Sequence, residues 1–199
     1  MIPVMLIDNF DSFSFNLVDS LTQLGAEVAV FRNTISLKDA EHQVAKTGVR
    51  MVVLSPGPGG PRDAGVSIDL VNRLSGKVPV LGICLGHQCL VEAAGGTIDR
   101  APLPVHGKAW VLEHDGEGIF EGLPRPMKVG RYHSLAAREA PKGFRTQARA
   151  QDLVMAMIDP DRKQVGLQFH PESFLTPHGQ LLLENVFRFF GLEGDSCAM

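Results

Sequence analysis

The stretch "VLGICLGHQCL", residues 80–90, places Cys84 between Gly82 and Gly86 at the end of an apolar run. A glycine two residues before and two residues after a nucleophile is the spacing of a nucleophile elbow, a tight turn from a strand into a helix. A side chain at either glycine position would collide with neighbouring backbone. The dipole of the following helix favours the thiolate, and the N–H of Leu85 can bind a developing oxyanion. The spacing therefore predicts a nucleophilic Cys84 rather than a packed core cysteine.

A histidine and a carboxylate lie close together near the end of the chain, in "LQFHPES", residues 167–173. Side chains two apart in a strand point to the same face, so His170 and Glu172 are expected to lie together. Pro171 favours an extended backbone at His170 and ends the strand. We expect His170 to move protons for Cys84 and Glu172 to orient the His170 ring. Taken singly, they would read as a core histidine and an exposed strand end.

The segment "LSPGPGGP", residues 54–61, follows another apolar run. Its glycines allow backbone to approach a substrate closely, and its prolines stiffen the loop. We expect it to supply a second oxyanion N–H beside that of Leu85. The alternatives are a rigid turn without a functional role and a phosphate-binding loop. The phosphate loop is disfavoured because no lysine follows in the G-x-x-x-x-G-K-[ST] order.

A sheet must position these residues at one place. Short, continuously apolar runs are typical of strands buried on both faces of a parallel sheet, and they occur at 2–8, 27–31, 50–55 and 78–83. Apolar residues at helical spacing lie between them at 12–24, after Asp11 or Ser12 as N-cap, and at 64–75. This alternation predicts right-handed βαβ units in a three-layer α/β/α domain. Ligands bind such sheets beyond the carboxyl ends of the strands.

The rhythm changes after about residue 97. Strand-like runs separated by turn residues come close together, at 108–112, 127–132, 153–158 and 164–169. They predict an added, partly antiparallel section on the mostly parallel sheet. A last helix is expected to begin at Thr176 as N-cap, with Pro177 in its first position, and to stop at Gly191. We expect one domain over residues 1–191 and a loose tail over 192–199.

Composition excludes several classes of function. The 199 residues carry a formal net charge of −3 with no lysine or arginine cluster, which argues against a nucleic-acid partner. No apolar run approaches the ~20 residues needed to cross a bilayer, and the start lacks the positive region of a signal peptide. We therefore expect a cytoplasmic protein without a membrane partner. Three cysteines do not suggest a disulfide framework, and the seven histidines lack zinc-ligand spacing, so no metal is expected.

Four motifs, in their order and spacing, resemble the class I glutamine amidotransferases: "SPGPG", "GICLGHQ", "RYHSL" at 131–135 and "FHPES". The likeness covers essentially residues 2–190. The segments "DNFDSFSFNL", "SPGPGGPRDAG" and "HGK" at 106–108 narrow it further. The fuller set is similar to the amidotransferase subunit, component II, of anthranilate synthase. It is shared by the corresponding subunit of aminodeoxychorismate synthase, a close relative.

The resemblance implies a role for each matching position. Cys84 would attack glutamine and form a thioester, His170 would act as general base and acid, and Glu172 would orient the imidazole. The backbone N–H groups of Gly57 and Leu85 would bind the oxyanion. Glutamine itself would be held by the Gln88 side chain and by backbone in two loops, at Gly57, Pro58, Gly59, Ser134 and Leu135.

The resemblance also implies a partner. Ammonia would pass to a chorismate-binding synthase subunit, component I of anthranilate synthase or of aminodeoxychorismate synthase. This chain would need no cofactor, whereas the partner would need magnesium. The expected contact loops are 55–62, 101–107 and 130–135. Alternatives are an amidotransferase serving another acceptor, a cysteine hydrolase acting on peptides or esters, and a non-catalytic α/β binding domain.

Overall fold

The computed structural model describes residues 1–102 and 107–192. Strands within these ranges are β1 (Ile2–Asp8), β2 (Ala26–Arg32), β3 (Met51–Leu54), β4 (Val80–Ile83), β5 (Asp99–Arg100), β6 (Lys108–His114), β7 (Met127–Arg131), β8 (Leu135–Ala136), β9 (Arg145–Ala150), β10 (Leu153–Asp159) and β11 (Gln164–Leu167). The helices are α1 (Ser14–Gln23), α2 (Leu37–Thr47), α3 (Ser67–Leu74), α4 (Leu85–Ala93) and α5 (Gly179–Phe189). Single 3-10 turns occupy Pro61–Asp63 and Gly118–Phe120.

Nine of these strands form one sheet in the order β2-β1-β3-β4-β11-β10-β9-β6-β7. Strands β2, β1, β3, β4 and β11 pair in parallel and are called the parallel half below. Strands β10, β9, β6 and β7 continue the sheet through antiparallel pairs and are called the antiparallel half. Strands β5 and β8 form a separate ribbon. The predicted mostly parallel sheet with an antiparallel extension is confirmed.

Two apolar cores lie on opposite faces of the sheet. On one face, alternate residues of β1 and β3 pack with α1 and α5, including Leu17 and Val186. On the other face, Met5 and Val52 pack with α2, α3 and α4, including Leu70. The short strands β3, β4 and β11 are buried at every position, which explains their continuous apolar runs. The three-layer α/β/α prediction is confirmed.

Two elements of the sheet and its cover did not stand out in the sequence. Helix α2 buries fully only Ala40, so its apolar stripe is weak, although Ser36 caps it and Gly48 ends it in the left-handed conformation. Strand β9 exposes Arg145 and Arg149 and has little apolar character. Both elements depend on tertiary neighbours more than on their own pattern.

The predicted helix caps are wrong at two places. Helix α1 begins at Ser14 without a side-chain cap, because the Asp11 carboxylate accepts the Phe13 N–H (2.8 Å) in the turn before it. Helix α5 begins at Gly179 rather than after Thr176. Its end is as predicted, since Gly191 has φ +65°.

The predicted tail falls mostly outside the described residues, which stop at 192. Leu192, expected as its first residue, is buried (2% exposed), and its N–H donates to the Phe187 carbonyl (2.9 Å).

Candidate active site

Cys84 occupies a sharp turn between β4 and α4. Its backbone has φ +52° and ψ −100°, a conformation that costs a non-glycine residue about 1–3 kcal/mol. The Cys84 N–H donates to the Leu167 carbonyl on β11 (2.8 Å), and this bond helps to hold the turn. The next residue, Leu85, opens α4, where an N–H has no acceptor within the helix. The predicted elbow is present, with a donor beside the sulfur.

The glycines around Cys84 are sterically required. A Cβ on Gly82 would overlap the Gly86 carbonyl, and one on Gly86 would overlap the Leu54 carbonyl on β3. The sequence interpretation of this spacing is therefore confirmed by the neighbours that each glycine meets.

His170 lies three residues beyond the end of β11, at the join between the two halves of the sheet. Its N–H donates to the Gly130 carbonyl of β7 (3.2 Å). Its Nδ1 lies 2.6 Å from Oε1 of Glu172, whose side chain is fully buried. The expected His–Glu contact is present, but residues 171–173 form a turn, so strand alternation is the wrong reason for it.

Thr176, predicted as a helix cap, holds this join together. Its hydroxyl donates to the His170 carbonyl (2.6 Å) and accepts the Gly130 N–H (2.9 Å). A side chain that satisfies two buried backbone groups in the antiparallel half and the catalytic loop is not available to cap α5. Tertiary hydrogen bonding thus overrides the local capping signal.

The electrostatics around His170 favour its charged form. Burial lowers the pKa of the imidazole, but the adjacent Cys84 thiol and Glu172 carboxylate outweigh burial and raise that pKa to about 10. Since Nδ1 is engaged by Glu172, Nε2 is the ring nitrogen left for Cys84. Nε2 is buried and has no hydrogen bond within the described residues.

Aromatic rings enclose the His170 imidazole. Tyr132 lies at 4.8 Å between centroids in a tilted arrangement, and Phe13 lies edge-on at 6.2 Å. The Tyr132 hydroxyl is 3.1 Å from the Ser173 hydroxyl. These apolar walls limit water around the ring, which strengthens its interaction with Glu172. Sequence reasoning missed both aromatics, since nothing local to either one points to His170.

A cavity of about 570 Å³ opens in front of Cys84. This volume is in the usual range for a small-molecule site. It brings together all the residues that the sequence analysis assigned to glutamine, while Glu172 lies behind His170. Its lining is Phe10, Asp11, Ser12, Phe13, Pro56, Gly57, Pro58, Gly59, Cys84, Leu85, Gln88, Tyr132, His133, Ser134, Leu135 and His170.

The glycine–proline loop after β3 is fixed from below by Asn9. The Asn9 N–H donates to the Ser55 hydroxyl (2.8 Å), and its amide donates to the Ser55 carbonyl (2.9 Å). Gly57 packs so closely on Asn9 that any Cβ would overlap the Asn9 carbonyl. Asn33 donates to the Asn9 side-chain oxygen (3.0 Å). Asn9 and Ser55 were missed as positioning residues, although both directly follow predicted strands at the same sheet edge.

Metal-binding clusters and membrane-spanning helices are both missing from the described residues. These residues contain no group of histidine, cysteine and carboxylate side chains arranged to hold a metal ion. No helix among them has the length and apolar character to span a membrane.

The chain matches one protein family over nearly its full length. The model of the glutamine amidotransferase class-I family matches residues 5–189. The chain belongs to this family. The resemblance inferred from the motifs is therefore confirmed, and the chain is a glutamine amidotransferase.

Relatives agree over nearly the whole length. The pyocyanine-specific anthranilate synthase component 2 of Pseudomonas aeruginosa is 48% identical over 189 residues, which cover 94% of each chain. Anthranilate synthase component 2 of Vibrio parahaemolyticus is 43% identical and covers 95% of this chain and 96% of its own. A GMP synthase subunit from Thermoplasma acidophilum shares the fold, with a TM-score of 0.83, 23% identity and coverage of 96% of this chain and 94% of its own.

Proposed function

We propose that this amidotransferase hydrolyses L-glutamine at Cys84 and passes ammonia to a chorismate-binding synthase subunit that makes anthranilate. The observation that carries the chemistry is the strained Cys84 turn facing the same cavity as His170, with Glu172 bonded behind the ring. The relatives named anthranilate synthase component 2 carry the choice of acceptor.

The reaction begins with a thiolate and an imidazolium. Because the pKa of His170 is raised to about 10, the ring holds a proton at neutral pH, and Cys84 attacks the glutamine side-chain carbonyl as the thiolate. His170 then gives its proton to the leaving ammonia. The thioester that remains is attacked by water, which His170 deprotonates, and glutamate leaves as Cys84 is restored.

Each tetrahedral intermediate carries an oxyanion that needs donors. The Leu85 N–H in the first turn of α4 is one, and the Gly57 N–H in the loop fixed by Asn9 is the other. The loss of one such donor costs about 10²–10³ in rate in other enzymes.

Glutamine binds in the cavity between two loops. Pro58 and Gly59 continue the loop from Gly57 on one side, and Ser134 and Leu135 form the other side. Gln88 reaches from α4 to the second loop, where its amide nitrogen donates to the Leu135 carbonyl (3.1 Å). The backbone groups of both loops and the Gln88 amide recognise the amino-acid end of the substrate.

The partner docks over the mouth of this cavity. Phe15 and Phe174 expose 86% and 87% of their surface, and Phe10 exposes 53% at the cavity rim. Each lies within two residues of a cavity-lining residue or of Glu172. Such exposed aromatic residues are enriched at protein interfaces. The contact includes loops 55–62 and 130–135; residues 103–106 of the third predicted loop, 101–107, lie outside the described residues.

Aminodeoxychorismate synthase component I is the second candidate partner, because the motifs fit both. The partner, not this chain, supplies the magnesium that chorismate chemistry needs. We place the complex in the cytoplasm, where reducing conditions keep a cysteine nucleophile free.

The testing experiment mixes the purified chain with a chorismate-binding subunit, chorismate and magnesium. Glutamine should support anthranilate fluorescence with the wild-type chain, and Cys84→Ser should abolish it. Ammonium salt at raised pH should restore product with Cys84→Ser. Cys89→Ser is the matched control, because Cys89 is buried outside the cavity and should leave glutamine use intact.

The outcomes separate the parts of the proposal. Aminodeoxychorismate in place of anthranilate would replace the partner but keep the chemistry. Glutamine-dependent product with Cys84→Ser would contradict the nucleophile assignment. No product with either donor would overturn chorismate amination.

A further inference from the structure

A hydrogen-bonded chain of side chains runs from the antiparallel half to Gln88. Arg131, at the end of β7, is fully buried and stacks on the Trp110 ring at 5.0 Å. Its Nε–H donates to Nε2 of His133 (2.9 Å). Nδ1 of His133 lies 2.8 Å from the Leu135 carbonyl. This chain ends on the same carbonyl that receives the Gln88 amide.

These partners define the protonation of His133. Arg131 offers only donors, so Nε2 of His133 must be the acceptor. The Leu135 carbonyl offers only lone pairs, so Nδ1 must carry the hydrogen. Burial first, and the charge of Arg131 second, lower the pKa of His133 to about 4, which agrees with a neutral ring at neutral pH. A single tautomer is thus held between two fixed neighbours.

The same carbonyl defines the orientation of the Gln88 amide. Nε2 of Gln88 donates to the Leu135 carbonyl (3.1 Å) and to Oε1 of Gln168 (3.4 Å), which uses both of its hydrogens. No hydrogen bond within the described residues uses Oε1 of Gln88. A ligand that meets this oxygen in the cavity must bring a donor, and the α-ammonium group of glutamine is the donor that the substrate carries.

We infer that His133 is a positioning residue for substrate recognition: it holds the Leu135 carbonyl, and this carbonyl fixes the Gln88 amide with Oε1 available to the α-ammonium group of glutamine. This inference rests on the proposed function, and it adds a residue that touches neither the reacting atoms nor the triad. Without the Nδ1–H bond, the Leu135 carbonyl can turn, and the Gln88 amide loses the constraint that distinguishes its two ends.

Two isosteric substitutions separate this role from general packing. The asparagine amide nitrogen occupies the place of imidazole Nδ1, whereas the glutamine amide occupies the place of Nε2. His133→Asn therefore keeps the donor to Leu135, and His133→Gln keeps only an acceptor for Arg131. Both place a buried amide of similar polarity in the same site, so each serves as the control for the other.

The probes are two electrophiles that alkylate a thiolate with loss of N₂. One is 6-diazo-5-oxo-L-norleucine, which carries the α-ammonium group, and the other is 6-diazo-5-oxohexanoate, which lacks it. Iodoacetamide reports the reactivity of Cys84 without substrate recognition. Rates of Cys84 labelling at subsaturating probe, read by mass spectrometry, give the preference for the ammonium group.

His133→Gln should lower labelling by the ammonium-bearing probe about tenfold, as expected for a lost buried hydrogen bond. Its rates with the other probe and with iodoacetamide should stay within about twofold, and KM for glutamine should rise more than kcat falls. His133→Asn should stay within about threefold of wild type throughout. Equal losses in both variants, or a parallel fall with iodoacetamide, would overturn the inference. A wild-type chain that reacts with iodoacetamide but with neither diazo probe would instead contradict the proposed function.

Discussion

The two halves of the sheet contribute different parts of the site. The parallel half ends in the Cys84 elbow and in the loop of Gly57, where strained or close-packed backbone presents a nucleophile and N–H donors. The antiparallel half ends in residues 131–135, where side chains hydrogen-bond to one another and to a carbonyl. Bond making is therefore built on backbone geometry, and recognition is built on side-chain orientation.

His170 connects these halves. Its chain segment leaves β11 of the parallel half, while its N–H is bonded to Gly130 of β7. Thr176 bonds to both residues. The proton-transfer group can thus be displaced by changes in either half, which is the basis of the following predictions.

The largest effect is expected at His170 itself. His170→Ala removes the acid and base of both half-reactions, so glutaminase turnover in the complex should fall by about 10²–10⁴. Glu172→Ala leaves the imidazole in place and removes only its orientation, so the loss should be smaller. Single-turnover rates with glutamine measure both, and Glu184→Ala on the exposed face of α5 is the carboxylate control. If Glu172→Ala proved the more damaging change, the two roles would have to be exchanged.

A smaller effect is expected at Thr176. Thr176→Val keeps the volume but leaves the Gly130 N–H and the His170 carbonyl without their partner, at a cost of about 1–3 kcal/mol in the free energy of unfolding. Glutaminase turnover should fall too, because His170 loses its anchor. Thr176→Ser keeps the hydroxyl and should be close to wild type.

His178→Ala provides the control for Thr176, since His178 is the residue before α5 and makes no capping bond. Chemical denaturation and glutamine turnover are measured on all three variants. Loss of stability in Thr176→Val without loss of turnover would show that the join does not position His170.

The smallest effect concerns the pH dependence of stability, which should differ between the halves. Burial and Arg131 lower the pKa of His133 from 6.5 to about 4, so the unfolded chain binds more protons below pH 6.5. Stability from this group is present above pH 6.5 and is lost as the pH falls towards 4. Cys84 and Glu172 raise the pKa of His170 to about 10 against burial, so its contribution is present below pH 6.5 and is lost as the pH rises towards 10.

Denaturant midpoints between pH 4 and pH 10 test this contrast. His133→Asn should flatten the acid side and His170→Asn the alkaline side, each by no more than the ~1.4 kcal/mol per pH unit that one proton contributes. His87, buried with a pKa lowered to about 3, adds to the acid side in every variant. Equal flattening of both sides by one substitution would contradict the separation of the two groups.

The parts that could be predicted from the sequence are those encoded locally. The elbow needs Gly82 and Gly86 at fixed spacing from Cys84, and buried parallel strands need continuous apolar runs, so both are visible in short windows. The contact of His170 with Glu172 was also found, although a turn produces it.

The remaining features depend on residues far apart in the chain. Gln88 meets Leu135 across 47 positions, and Asn9 meets Ser55 across 46. Thr176 carries a valid local capping signal, yet its hydroxyl serves Gly130 across 46 positions. No short window contains such pairs, so the recognition half of the site becomes visible only in the folded chain.

The most direct test of the central claim is selective labelling of Cys84 by 6-diazo-5-oxo-L-norleucine. The geometry predicts that Cys84, in a cavity shaped for glutamine, is alkylated, and that glutamine protects it. Cys89 should stay unmodified, because burial first and Glu92 second raise the pKa of its thiol to about 12. Mass spectrometry of the folded protein should therefore show one modified cysteine at position 84. Equal modification of Cys84 and Cys89, or labelling that glutamine does not slow, would contradict the account.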